Sequence, residues 1–196
     1  MSKAFFNAKA PMWDESIAEK DTGKLQRLAG ALEITPGSIV LDVGTGTGVF
    51  VPFLLAMIGN SGKLVCVDFA EEMLNRARAK NFKGTIEYLC ADVTETQLGD
   101  AIFDNIICYS SFPHFHDKPK ALREMRRMLK KGGVLSVCHS SSREAINGIH
   151  RQMPEVCDHL LPDTNEMRRL FAEAGFENIR IDDNAESYIA HARKPV

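Results

Sequence analysis

The turn at residues 42–48 has the composition of a ligand-binding loop. Gly44, Gly46 and Gly48 follow an apolar run and precede a predicted helix. Glycine lets the backbone turn sharply and approach a ligand, and a helix start offers free N–H groups. A dinucleotide-binding loop would have its third glycine at position 49, where this chain has Val49, and Asp42 would repel a pyrophosphate. The spacing favours a ligand that carries positive charge, although a tight turn without a ligand would need the same glycines.

Two further aspartates end the next two predicted strands. Asp68 lies 20 residues beyond the last glycine of the loop, where a carboxylate can accept both hydroxyls of a ribose. Asp92 can accept a hydrogen bond from an exocyclic amine such as that of adenine. Either residue alone could be a helix cap. Together with Asp42, which could hold a cationic ammonium group, they describe the contacts that S-adenosylmethionine needs.

Short apolar runs alternate with amphipathic segments from residue 22 onward. The predicted strands are rich in valine, isoleucine and cysteine and show little alternation, which is typical of strands covered on both faces. They span residues 39–43, 63–67, 86–90, 103–108, 134–138, 176–181 and 187–192. Helical spacing of apolar residues predicts helices over 22–33, 48–58, 117–131 and 163–174. This alternation predicts an α/β fold with a doubly wound sheet, in which ligands bind beyond the carboxyl ends of the strands.

Composition and charge exclude several classes of protein. The 196 residues are 44% hydrophobic and 26% charged, as in a soluble globular protein, and the net charge of −2 gives no basic field to gather nucleic acid. No apolar run approaches the roughly 18 residues that span a bilayer. The five cysteines show no paired short spacing and indicate a reducing compartment. We expect a cytoplasmic protein with one domain over residues 1–196, no metal site, and neither nucleic acid nor membrane as a partner.

Four sequence motifs resemble those of class I S-adenosylmethionine-dependent methyltransferases, in the small-molecule group that includes the menaquinone and ubiquinone biosynthesis enzymes. The motifs are VLDVGTGTGVF at 40–50, VCVDFAEEML at 65–74, CADV at 90–93 and the segment 103–133. The resemblance extends from about residue 37 over nearly the whole remaining chain. It implies a Rossmann-like seven-stranded sheet, mostly parallel with an antiparallel last strand, and helices on both faces. It also implies methyl transfer to a small-molecule acceptor.

The resemblance assigns cofactor-binding roles to residues at the ends of four strands. It implies that Asp68 holds the ribose, that Asp92 holds the adenine amine, and that Tyr109 and Ser110 line the methyl-transfer site. The other implied cofactor-binding residues lie in the glycine loop or flank the adenine: Asp42, Gly44, Thr45, Gly46, Gly48, Phe69, Met73 and Val93.

Three histidines follow strands and are candidates for a catalytic base. His114 and His116 come just after the fourth predicted strand, and His139 just after the fifth. An imidazole titrates in a useful range, and a base is needed only if the acceptor carries a proton at the working pH. The alternative is that these side chains only pack or hydrogen-bond in the loops.

Two segments are expected to lie over the substrate side of the cleft. Residues 139–162 form an insertion in which a capping box at residues 141–144 predicts a helix. Arg143, Asn147 and His150 would share one face of that helix and contact the acceptor, unless that face is ordinary polar surface. Residues 1–36 form a predicted helical lid that brings Trp13 to the substrate, or else they pack on the sheet edge.

Two other functions remain compatible with these residues. The chain could bind S-adenosylmethionine as a sensor or scaffold without turnover. An oxidoreductase that uses a nicotinamide dinucleotide is opposed by Val49 and Asp42.

Overall fold

Strands and helices alternate along the chain in the order that the apolar pattern predicts. The computed structural model describes residues 3–16 and 19–196. The strands are β1 (Ile39–Val43), β2 (Lys63–Asp68), β3 (Ile86–Cys90), β4 (Phe103–Tyr109), β5 (Leu129–His139), β6 (Glu177–Asp183) and β7 (Tyr188–Arg193). The α-helices are α1 (Lys3–Lys9), α2 (Trp13–Ser16), α3 (Thr22–Gly30), α4 (Val51–Ile58), α5 (Glu71–Ala79), α6 (Lys118–Met128), α7 (Arg143–Arg151) and α8 (Thr164–Glu173). Short 3₁₀ helices cover Ala10–Met12, Val93–Glu95 and Phe112–His114.

The seven strands form one sheet in the order β3-β2-β1-β4-β5-β7-β6. The first five strands pair in parallel, and β7 pairs antiparallel with both β5 and β6. This confirms the predicted seven-stranded fold with its antiparallel last strand. The strand order reverses between β1 and β4, so the chain leaves these neighbours in opposite directions and opens a crevice at their carboxyl ends.

Alternate residues of the central strands face two separate apolar layers. In β1, Val40 packs with α3 and α4, whereas Leu41 packs with α6 and α8 on the opposite face. Both side chains are fully buried. Strands buried on both faces need no polar alternation, which explains the continuous apolar runs in the sequence. The two helical layers cover the faces of the central strands and leave the ends of those strands open.

Several element boundaries differ from the sequence prediction: the helices predicted over 22–33 and 48–58, for example, are Thr22–Gly30 and Val51–Ile58. Two further differences have a clear physical cause. The helix predicted over 117–131 ends at Met128, because Leu129 already pairs with Phe103 as the first residue of β5. The cap of α7 is Ser142, whose hydroxyl accepts from the Ala145 N–H, so the predicted capping box at residues 141–144 is wrong by one residue.

None of the helices within 3–16 and 19–196 is both long enough and apolar enough to cross a membrane.

Candidate functional site

Two adjoining cavities open at the carboxyl ends of the central strands. The first, of about 230 Å³, lies over β2 and β3, and the second, of about 300 Å³, lies over β5 and beside α7. Residues shared by both walls are Phe6, Trp13, Gly44, Gly46, Ser110 and His114. Because the glycine loop forms part of both walls, a ligand in the first cavity can present one end to a molecule in the second.

The glycine loop is held against β2 and β4 by close backbone contacts. The Gly44 N–H donates to the Val67 carbonyl at 2.8 Å, and the Ser111 hydroxyl donates to the Val43 carbonyl at 2.6 Å. Gly44 has φ of +73°, and a Cβ atom there would lie 2.3 Å from the Ser111 Cβ. Only glycine therefore fits at this position, which keeps the loop backbone bare toward both cavities.

The Asp68 carboxylate joins the glycine loop to the start of α5. One oxygen accepts from the Gly46 N–H and the other from the Ala70 N–H, both at 2.8 Å. Burial raises the pKa of Asp68, while the backbone N–H groups oppose that shift. The residue lines the first cavity, where each carboxylate oxygen can accept a further hydrogen bond from a ligand hydroxyl.

Asp42 lies buried below the loop and outside both cavity walls. Among the described residues, one of its carboxylate oxygens finds no hydrogen-bond partner, and burial, together with the nearby Asp68, raises its pKa to about 7. A buried carboxylate without a partner is costly unless a positive charge lies near it. This orphan oxygen is the observation that fits a cationic ligand above the loop.

The remaining predicted adenine-side residues line the first cavity together. Phe69, Met73 and Val93 supply apolar walls. The exposed Asp92 caps the following 3₁₀ helix by accepting from the Thr94 N–H and hydroxyl at 2.8 Å. Its second carboxylate oxygen is not used in those bonds and is available to a ligand amine.

Thr45 and Gly48 support the loop in different ways. The Thr45 hydroxyl donates to the Asp42 backbone carbonyl at 3.0 Å, and Thr45 also lines the second cavity. Gly48 lies outside both walls, and its φ of +81° brings it against the Phe82 ring, 2.9 Å from where a Cβ atom would be. Gly48 is therefore placed as a packing residue.

Tyr109 and Ser110 form the wall of the second cavity at the end of β4. The Tyr109 ring stacks on Phe50 with centroids 4.4 Å apart, and its hydroxyl lies 3.2 Å from the Ser140 hydroxyl. The Ser140 hydroxyl also donates to the Glu19 carboxylate at 3.2 Å. Burial raises the pKa of Tyr109 to about 12, so its phenol stays protonated as a hydrogen-bond donor.

Glu19 is a wall residue that the sequence did not single out. It lies between the N-terminal helices and α3, and its carboxylate also accepts from the Lys20 and Asp21 N–H groups. These bonds, with Lys24 3.8 Å away, hold the Glu19 pKa below its usual value. No motif marks such a residue, because only the fold brings it to β5.

The three predicted histidines lie at the cavities, in different environments. His116 lines the first cavity, His139 the second, and His114 both. His139 is buried, its Nε2 atom has no partner within residues 3–16 and 19–196, and burial lowers its pKa to about 3. Burial and neighbouring histidines also lower the pKa of His114 well below its ordinary value. His114 and His139 are therefore neutral at pH 7 and can accept hydrogen bonds.

The N-terminal segment covers the cavities. Phe6 and Trp13 contribute to both walls, and the Phe6 ring contacts His114 edge-on with centroids 5.5 Å apart. Asp14 bonds the Thr47 hydroxyl of the glycine loop and pairs with Lys80 at 2.8 Å. Trp13 thus lies on the walls of both cavities, and its role in a lid stays a prediction.

The predicted substrate residues of α7 separate in the structure. His150 lines the second cavity. The Asn147 amide is buried and bonds both the backbone N–H and carbonyl of Leu161, and the Arg143 guanidinium lies 3.8 Å from the Asp183 carboxylate. Neither Arg143 nor Asn147 lines either of the two cavities described above. Asn147 instead fixes the segment that follows α7.

Comparison with known proteins identifies the family. The sequence profile of a methyltransferase domain matches residues 41–137. A ubiquinone/menaquinone biosynthesis C-methyltransferase from Cronobacter sakazakii is 30% identical over 171 residues, covering 73% of this chain and 68% of that protein. The chain belongs to the class I S-adenosylmethionine-dependent methyltransferases. The corresponding enzyme of Vibrio parahaemolyticus is 32% identical over 159 residues, covering 78% of this chain and 61% of the relative.

Solved structures show the same fold as this methyltransferase. A SAM-dependent methyltransferase from Aquifex aeolicus superposes with a TM-score of 0.73 at 24% identity and covers 99% of both chains. The methyltransferase bound to the Trm112 activator of Haloferax volcanii has a TM-score of 0.78 at 19% identity, over 97% of this chain and 98% of that one. The chain spans about half to two thirds of the length of the curated relatives, 52% for that of Vibrio campbellii.

The described residues fit the cofactor that defines this family. The bare backbone at Gly44 leaves room that a side chain would fill, and the partnerless oxygen of Asp42 suits a cation. Asp68 and Asp92 offer acceptors on the wall of the first cavity. The family assignment also decides for S-adenosylmethionine and against the dinucleotide alternative.

Proposed function

We propose that this protein transfers a methyl group from S-adenosylmethionine to a carbon atom of a small, largely apolar acceptor in the second cavity. The observation that carries the proposal is the shared wall of the two cavities, where Gly44, Ser110 and His114 face both. The printed activity of the curated relatives, C-methylation, supports carbon as the methylated atom.

Acidic side chains of this chain would bind the polar groups of the cofactor, and apolar side chains would contact its adenine ring. Asp68 would accept from the ribose hydroxyls, Asp92 from the adenine amine, and Phe69 and Met73 would flank the ring. When bound, S-adenosylmethionine supplies an electrophilic methyl group on a positively charged sulfur. Methyl transfer is an in-line displacement, so positioning and exclusion of water supply most of the rate. The lid residues Phe6 and Trp13, together with the buried glycine loop, would position the reactants and exclude water from them.

The second cavity has the chemistry of a pocket for a hydroxylated aromatic or enolic molecule. Its walls include Phe5, Val49, Ile146, Met153 and Val156, which suit an apolar ring. Polar side chains alternate with these apolar ones along the walls and can orient a small molecule. A phenolic or enolic hydroxyl donates electrons to the neighbouring carbon, which becomes nucleophilic once the hydroxyl loses its proton. After methylation that carbon would lose its own hydrogen as a proton, and the oxygen would regain one, which restores the hydroxyl with one proton released overall.

Two neutral imidazoles are suited to handle that proton. His139 can accept a hydrogen bond at its partnerless Nε2 atom and so orient the acceptor hydroxyl. His114, which lines both cavities, can take the proton as general base. A buried imidazole that is already protonated could do neither, and the lowered pKa values of both residues keep the two rings neutral at pH 7.

The test is methyl transfer from S-adenosylmethionine carrying a ¹³C-labelled methyl group. The intact protein is incubated with hydroquinones, substituted phenols, primary amines and thiols, and products are read by carbon NMR. We expect a new carbon-bound methyl signal with a hydroxylated aromatic acceptor. Labelled methyl on oxygen, nitrogen or sulfur alone would refute C-methylation. Tight S-adenosylhomocysteine binding without transfer to any acceptor would favour the sensor alternative.

Matched variants separate the catalytic role of His114 from a general loss of histidine. His114→Asn should lower kcat by about 10²-fold or more, the usual range for removal of a general base. His191→Asn is the control, because His191 bonds the Ser136 hydroxyl at 2.8 Å within the sheet and lies outside both cavity walls. It should leave kcat unchanged.

A further inference from the structure

Five of the six histidines in the sequence form one group beside the two cavities. The centre of the group is His114, whose ring centroid lies 5.1 Å from that of His150 and 5.4 Å from that of His159. The His116 ring lies 6.1 Å from His159, and His139 lines the same cavity as His114 and His150. His159 comes from the loop between α7 and α8, where no sequence motif marks it.

His114 and His159 are joined directly through their ring nitrogens. The two Nδ1 atoms are 3.2 Å apart, so one ring donates a hydrogen bond and the other accepts it. The Nδ1 atom of His150 bonds the backbone carbonyl of His159 and holds that loop in place. This hydrogen bond therefore connects His114, which lines the second cavity, with His159, which is partly exposed to solvent.

The surroundings of this pair favour neutral rings. His116, His139 and His150 face the pair, as does Lys118, whose ammonium donates to the Pro113 and Phe115 carbonyls at 3.0 and 3.1 Å. Burial and these cationic or ionisable neighbours lower the pKa values of both rings. Among the residues described, no set of three or more His, Cys, Asp or Glu side chains is placed to hold a metal ion.

We propose that His159 relays the acceptor's proton from His114 to solvent. The inference rests on the proposed function. Before transfer, His114 carries its proton on Nδ1 and donates to the Nδ1 lone pair of His159, which carries its proton on Nε2. As His114 takes the acceptor's proton at Nε2, its Nδ1 proton moves to His159, which releases its Nε2 proton to water. Each ring ends neutral with its tautomer exchanged, so no positive charge is left beside the sulfonium.

His159 does not touch the acceptor in this scheme and acts through His114. The variant His159→Asn tests it, because the Asn amide can keep a hydrogen bond at the position of Nδ1 but cannot pass a proton onward. We expect kcat to fall at least about tenfold, toward the ~10²-fold effect of losing a base, with KM for S-adenosylmethionine unchanged. Free imidazole in the buffer should restore part of the rate. His191→Asn is again the control.

A second measurement does not depend on turnover. Nitrogen NMR of the imidazole rings at pH 7 should show the Nδ1–H tautomer for His114 and the Nε2–H tautomer for His159 in the free protein. The opposite tautomers would overturn the relay, because His114 could not then accept at Nε2. Unchanged kcat in His159→Asn, with active unaltered protein, would also overturn it. Absence of any methyl transfer by the unaltered protein would refute the proposed function and the relay together.

Discussion

Replacement of Gly44 by alanine should destabilise the fold much more than the same replacement at Gly46. Both residues have positive φ, +73° and +57°, so each alanine variant incurs about 1–2 kcal/mol for left-handed backbone. At Gly46 the nearest atom to the added methyl is 4.0 Å away, which adds nothing. At Gly44 the methyl would lie 2.3 Å from the Ser111 Cβ, and overpacking of this kind costs a further ~1–3 kcal/mol.

The free energy of unfolding in urea, without cofactor, measures the difference. We expect Gly46→Ala to lose about 1–2 kcal/mol and Gly44→Ala about 2–5 kcal/mol. The double variant Gly44→Ala/Ser111→Gly should recover the steric part, because the clashing atoms are removed. Equal losses at the two glycines, or no coupling with Ser111, would refute the close approach of the loop to β4.

Two further substitutions test the cofactor cleft. Asp68→Asn should weaken S-adenosylhomocysteine binding by at least about tenfold in calorimetry, because a hydrogen bond to a charged acceptor is worth ~1.5–3 kcal/mol. The control Asp21→Asn, at the N-cap of α3, should leave the affinity unchanged. Equal affinities of the two variants would contradict the assignment of Asp68 to the ribose. Asp14→Ala should speed the release of bound S-adenosylhomocysteine severalfold in stopped-flow experiments, because the N-terminal lid loses its hydrogen bond to Thr47. The control Glu15→Ala, at the neighbouring residue, should leave the release rate unchanged. Equal release rates in the two variants would refute the lid.

The strands and the acids at their ends could be predicted from the sequence because local patterns determine them. The apolar run 39–43 lies between Gly37 and Gly44, and β1 spans the same five residues, Ile39–Val43. The end of α6 could not be predicted in this way. Lys130 and Lys131 suit the last turn of a helix, but pairing with β4 draws Leu129 and the residues after it into β5. Tertiary pairing here overrides a local helical signal.

The sequence predicted fewer of the residues around the second cavity than of those around the cofactor cavity. Helical spacing places Arg143, Asn147 and His150 on one helix, but packing decides which of them meets the cavity. Asn147 turns to the Leu161 backbone, whereas His150 stays on the cavity wall. His159 and Glu19 lie in irregular segments, and only the folded chain shows that they approach β4 and β5.

The buried Asp42 carboxyl should release a proton when a positively charged cofactor binds above it. Its raised pKa of about 7 means that folding favours the protonated form, so its stabilising contribution is lost as the pH rises from about 4 to 7. A nearby sulfonium lowers that pKa again. Binding of S-adenosylmethionine at pH 7 should therefore release up to about half a proton, and S-adenosylhomocysteine, which lacks the sulfonium, should release less.

Calorimetry in buffers of different ionisation enthalpy measures this release. In Asp42→Asn the difference between the two ligands should vanish, and the variant should gain stability over the unaltered protein as the pH rises from 4 to 7. Equal proton release for both ligands in the unaltered protein would mean that Asp42 does not sense the cofactor's charge. The glycine loop would then bind its ligand by shape and backbone contacts, and the partnerless oxygen of Asp42 would be only a cost to the fold.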